Sequence, residues 1–155
     1  MNRFKILSKG EKKEVERELN KGFGIEKVPG IIVKRGREKL FLFTGSLSKK
    51  QIKVLERNIP LERVGTYFAK IDQGGIRLSI EGSQILKDQI KKNIFELNKE
   101  QAELWMKGSE LNITTGKMGF LIMKYKDNFL GSGKASAEKI TNFIPKSRRL
   151  KNRES

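Results

Sequence analysis

The chain has 155 residues, 34% charged and 36% hydrophobic, with 34 Lys and Arg against 18 Asp and Glu, for a net charge of +16. That length holds one ordinary domain or two small ones, and so basic a field attracts polyanions, nucleic acid first among them. With no Cys and no His, there is no disulfide, no thiolate or imidazole metal ligand, no cysteine nucleophile and no Ser-His-Asp triad.

The opening Met1 to Leu7 turns polar at Ser8, leaving no apolar stretch of signal-peptide length. The apolar runs Leu40 to Phe43 and Phe120 to Met123 are strand-sized, far short of the roughly 20 residues that cross a bilayer. A cytoplasmic protein with no membrane partner is expected.

Three capping boxes follow in chain order, each a Ser or Asn with Glu or Gln three residues later: Ser8 to Glu11, Ser48 to Gln51 and Asn98 to Gln101. They predict helices over 9–21, 49–57 and 99–107, with Gly22 and Gly108 as left-handed residues ending the first and third. Between them, β-rich runs at 31–34 and 40–44 flank Arg35-Gly36, and runs at 64–71 and 76–80 flank Asp72 to Gly75. Both pairs read as hairpins. Further strands are predicted at 94–97, 120–126, 129–134 and 139–143, the middle two joined by Lys126-Asp127-Asn128. The polar stretch Lys87 to Asn93 marks a boundary between residues 1–91 and 92–155. Units of this size are marginal alone, so the two are expected to pack together.

Charge is uneven along the chain. Residues 1–74 carry +9, residues 75–116 carry none, and residues 117–155 carry +7. The last of these ends in five basic residues, Lys146, Arg148, Arg149, Lys151 and Arg153. We read them as phosphate contacts, from a strand end or from a tail that orders on binding, in preference to a solubilising terminus.

Other motifs have plainer readings. Glu14 and Glu18 share a helix face, but interleaved Lys12, Lys13 and Arg17 make a salt-bridged surface the better account than a cation site. Gly131-Ser132-Gly133-Lys134 lacks the spacing of a phosphate loop and marks a bulge or a close backbone approach. Lys124 and Lys126 are placed on the strand face that carries Phe120 and Ile122. Trp105 is assigned to the core with Leu97, Leu104 and Leu111.

The run Ile94 to Leu111, through Gly108, resembles the first strand, helix and helix-ending glycine of the PUA domain, an RNA-binding module of pseudouridine synthases and archaeosine transglycosylases. Gly119 to Tyr125 and Phe129 to Lys134 resemble its next hairpin. Lys139 to Leu150, with Asn142-Phe143-Ile144-Pro145, is most similar to the PUA-like tail of Fmu/Sun-type rRNA cytosine-5 methyltransferases. Phe23-Gly24-Ile25 and the pattern through Arg77 resemble the segment preceding that tail. The chain is thus read as a stand-alone archaeal relative of that region.

The resemblance implies an α+β protein, with an N-terminal α/β domain packed on a C-terminal PUA-like β-barrel with one helix. It implies RNA binding through Lys107, Gly108, Lys124, Lys126, Gly131 and Lys134; Lys146, Arg148, Arg149 and Lys151 are added on charge. The family's cofactor-binding domain and cysteine nucleophiles are missing here, so no cofactor and no catalysis are expected. The expected partner is structured RNA, ribosomal or transfer, in ribosome biogenesis or RNA modification. The alternative is an adaptor for an RNA methyltransferase or ribosomal protein; a small RNA-modifying enzyme is a further rival, for which no catalytic pair can be nominated.

Overall fold

The structure, a computed structural model, describes residues 4–44, 48–56 and 65–151. Two sheets form. The first has β1 (Phe4–Ile6), β2 (Ile31–Arg35), β3 (Lys39–Phe43), β4 (Thr66–Asp72) and β5 (Gly75–Leu78), antiparallel throughout in the order β1-β2-β3-β4-β5. The second has β6 (Ile94–Glu96), β7 (Gly119–Tyr125), β8 (Asn128–Ala135) and β9 (Ile140–Asn142) in the order β6-β7-β8-β9, with β6 parallel to β7. Four α-helices are described: α1 (Lys9–Phe23), α2 (Lys49–Glu56), α3 (Ile80–Ile85) and α4 (Lys99–Met106). Short 3₁₀ turns lie at Lys87–Gln89 and Lys146–Arg148.

Local sequence signals account for most of these elements. Complete capping boxes start α1 at Ser8 and α4 at Asn98, and Ser48 and Gln51 exchange the same bonds ahead of α2. Glu11 in the first box also takes a hydrogen bond from Lys5 of β1. That bond, then the Ser8 N–H, hold its carboxyl at about 2, below the ordinary 4.5. Because the folded value is depressed, this stabilisation is complete above pH 4.5 and is lost as pH falls toward 2.

The structure corrects several expectations. α1 runs through Gly22 and ends at Gly24, whose φ of 81° is the left-handed value expected at Gly22. Ile80 opens α3 and does not end a strand, because Ser79 caps the helix by accepting from the Gly82 N–H. β1 carried no sequence signal. Leu104 is 48% exposed, since α4 turns Ala102 and Trp105, three residues apart, into the core instead. The second sheet is open, not a barrel, extended past β9 by a bridge between Leu111 and Ile140. Arg57 and Val64, expected at element ends, and Arg153 lie outside the described residues.

One hydrophobic cluster crosses from the first sheet to the second: Leu19 and Phe23 of α1, Leu40, Phe68 and Leu78 pack with Ile122 of β7 and Phe129 of β8. A second cluster centres on Trp105, and a third joins Val33, Phe41 and Phe43 to Ile52 of α2 on the opposite face of the first sheet. Helix α3 is wedged between the sheets, against β4 and β8. A Cβ at Gly82 would collide with the Phe68 carbonyl, and one at Gly131 would lie 3.2 Å from the Ile80 nitrogen. Two buried serines complete the seam. Ser132 Oγ accepts from the Leu78 N–H at 2.8 Å, and Ser83 Oγ accepts from the Gly131 N–H at 3.0 Å.

Thermal and urea unfolding will separate two substitutions. Ser132→Ala orphans the Leu78 N–H and is expected to cost about 1–3 kcal/mol. Gly22→Ala adds a methyl group inside α1 where nothing lies within 4 Å, and is expected to gain about 0.5–1 kcal/mol. In an acid titration, Glu11→Gln is expected to flatten the stability loss between pH 4.5 and 2.

Candidate nucleic-acid interface

The residues proposed from sequence fall into three places. Lys107 and Gly108 end α4 in a Schellman turn, with Gly108 N–H bonded to Trp105 O at 2.9 Å and Ser109 N–H to Leu104 O at 3.0 Å. Gly108 has φ 93°, and its missing side chain leaves room for the Arg149 guanidinium laid across it.

The basic segment 145–151 is docked on that turn. Leu150 N–H donates to Met106 O at 2.7 Å, and Arg149 Nε donates to Ile144 O at 2.9 Å. Asn142 Nδ2 bonds the carbonyls of Trp105 and Ser109 at 2.8 and 3.0 Å. Cations gathered at a helix C-terminus also complement its dipole. Through Lys151, then, the segment is folded onto α4 and not a free tail. Arg149 serves that docking, Arg148 pairs with Glu81 of α3 at 2.8 Å, and Lys146 and Lys151 are exposed.

Lys124 and Lys126 lie elsewhere. Lys124 pairs with Glu96 at 3.6 Å, and its carbonyl accepts from Leu97 just ahead of α4. The length of that eight-residue helix, about 12 Å, separates this end from Lys107. Lys126 is not on the strand face; it occupies the β7–β8 turn with φ 53°, its ammonium 5.4 Å from the Tyr125 ring.

Gly131 and Lys134 form the third place, at the seam. Gly131 is buried beneath Ile80, the close approach that the glycine motif implied. A Cβ at Gly133 would meet Trp105 at 2.7 Å, and Trp105 Nε1 donates to Leu130 O at 3.3 Å. Lys134 reaches back to Gln73 O at 3.3 Å and lies 5.4 Å over the Phe120 ring.

Around Lys134 the structure gathers residues that sequence reasoning did not single out. Phe120 meets Phe143 edge-on at 6.2 Å, and the Arg77 guanidinium stacks 4.1 Å over Phe143. Arg77 also binds Asp72 at 3.2 Å and is only 13% exposed. Burial opposes ionisation of Asp72, but the Gln73 N–H and Arg77 outweigh it and hold the carboxyl below its ordinary value.

Beside this stack a cleft of about 200 Å³ opens between the sheets, its walls including Lys39, Tyr67, Lys70, Arg77 and Phe143. A second, of about 360 Å³, adjoins it through Tyr67, Ser79, Ile80 and Pro145 and reaches Arg148. Burial raises the pKa of the Tyr67 hydroxyl and keeps it neutral. Sequence held one clue to this cleft: both hairpins carry basic residues flanking their turns, at Arg35 and Lys39 and at Lys70 and Arg77.

Residues 92–150 match the family model of the methyltransferase RsmF PUA domain. The second half of the chain is a PUA domain. The match supports a relation to the PUA domain of Fmu/Sun-type methyltransferases, and RNA as a kind of partner. Comparison with curated proteins gave no match. The match covers the docked basic segment through Leu150 and leaves the first sheet outside it.

Because Arg77 stacks on the PUA domain's Phe143, Arg77→Ala is expected to cost about 1–3 kcal/mol in urea unfolding, from lost stacking and packing. Arg77→Lys is expected to recover only part of that loss, since an ammonium keeps the charge but not the planar contact.

Proposed function

We propose that the protein is a non-catalytic RNA-binding protein that recognises structured RNA, ribosomal or transfer, by shape and phosphate contacts, in ribosome biogenesis or RNA modification. The observation that carries this reading is the Schellman turn of a PUA domain held against a docked basic segment. Lys107, Lys146 and Lys151 project from that one region as exposed cations on an ordered backbone, and Arg148 flanks it. Cations on an ordered backbone contact phosphates without losing the backbone entropy that a free tail loses on binding. Lys124 and Lys126, at the far end of α4, offer a second set of phosphate contacts, so an RNA helix lying along α4 reaches both.

The absence of catalysis is inferred from composition, which supplies neither His nor Cys. An adaptor that binds a methyltransferase or ribosomal protein in trans is less well supported. Such a partner calls for an apolar patch on the first sheet, whereas the exposed large hydrophobics among the described residues, Val54, Ile85, Leu104, Met118 and Leu150, are spread over both halves of the chain.

The test is binding of the whole chain to a structured RNA, a single strand and duplex DNA across a salt series. Lys107→Ala and Lys146→Ala are each expected to weaken different structured RNAs alike and to reduce the log K against log salt slope by about one. Arg148→Ala is expected to do less, because Glu81 already neutralises it. Unchanged slopes in the two lysine variants would remove this face from the interface.

A further inference from the structure

The register of the first sheet sets Arg35 opposite Lys39, Lys39 opposite Lys70 and Lys70 opposite Arg77. Residues directly opposed on antiparallel neighbours project to the same face, so four strands contribute one cation each to a row about 14 Å long. Like charges in direct opposition destabilise a sheet. Lys70 reaches Glu38 at 3.4 Å, and Arg77 reaches Asp72 at 3.2 Å.

The adjoining positions on that face are aromatic. Phe41 stands opposite Tyr67, with ring centroids 5.8 Å apart, Arg35 lies 4.9 Å over Phe41, and Lys39 lies 5.8 Å over Tyr67. Tyr67 and Phe143 then line the cleft that leads past Pro145 to Arg148 of the PUA domain.

We propose that this row holds the phosphodiester backbone of a single-stranded RNA segment, whose bases enter the cleft against Tyr67 and Phe143 and whose chain continues to the PUA domain. A line of cations beside aromatic side chains is the chemistry by which proteins track a single strand. A cleft of about 200 Å³ accepts unstacked bases, not a duplex. Arg77 is a positioning residue, fixing Phe143 by its stack. An acidic protein segment would use the charges but has no use for the aromatic wall. The choice of RNA over other polyanions rests on the PUA reading.

The experiment uses the whole chain and four probes: a blunt RNA hairpin, the same hairpin with a ten-nucleotide single-stranded extension, the extension strand alone, and polyglutamate. The Lys39→Ala, Lys70→Ala double variant is compared with wild type and with Tyr67→Leu. Wild type is expected to bind the extended hairpin at least about ten-fold more tightly than the blunt one, consistent with stacking and phosphate contacts of ordinary size. The double variant is expected to lose that advantage, with a salt slope lower by about 1.4 for two phosphates of a single strand. Its affinity for the blunt hairpin should stay within about two-fold, and its melting temperature should hold or rise as the opposed charges are removed. Tyr67→Leu should lose affinity for the extended hairpin with little change in slope.

An extension that adds nothing in wild type, or an advantage that survives in the double variant, overturns the proposal. Polyglutamate competing as well as the extension strand assigns the row to an acidic protein and overturns it too. Loss of extension-strand binding in the double variant, when wild type ignores the blunt hairpin, would uphold the row and overturn the structured-RNA reading instead.

Discussion

The seam at α3 is the constraint on which the rest of the structure depends. Two backbone N–H groups, of Leu78 and Gly131, are buried between the sheets, and each finds its acceptor in a serine hydroxyl from the other unit. A buried donor without a partner costs more than a made hydrogen bond contributes, so Ser83 and Ser132 fix how the sheets meet. Gly82 and Gly131 remove the side chains that would hold the backbones apart. The core clusters then extend across the seam, with Ile122 and Phe129 of the PUA domain completing a cluster built mostly from the first sheet.

This fixed docking is what creates the cleft. Arg77 precedes Leu78 in β5 and therefore projects to the opposite face from it, toward Phe143, where it stacks. Lys134, two residues beyond the seam's Ser132, crosses to the β4–β5 turn. A PUA domain that swung freely would have no wall formed by Tyr67 and Phe143 together. The anchoring of segment 145–151 on the α4 turn extends the same surface to Arg148.

Charge has two roles in the protein. Along α1 and at its start, acids and bases are interleaved and pair, which is how a highly charged surface keeps itself soluble. At the α4 turn, Arg149 is tied to a carbonyl and complements the helix end. The cations across β2 to β5 follow neither pattern, since the register sets them facing one another. Their arrangement is costly to the fold and suited to a polyanion.

Much of the local structure was legible in the sequence because its causes are local. The capping boxes at Ser8 and Asn98, the left-handed Gly108 and both N-terminal hairpins are set by residues within a turn of one another. The motif of Ile94 to Leu111 was enough to point to the PUA domain, later matched over residues 92–150. Gly22 satisfies the same local rule as Gly24, and only packing carries α1 two residues further. Leu104 and the open second sheet were likewise matters of packing. The cationic row is the clearest division between the two levels. The sequence determined that Arg35 meets Lys39 and Lys70 meets Arg77, because each pair closes a short hairpin. Only the tertiary structure set Lys39 against Lys70, across α2 and a register shift at Leu40 and Phe41, because pairing between distant strands is decided by the shared core and not by any turn.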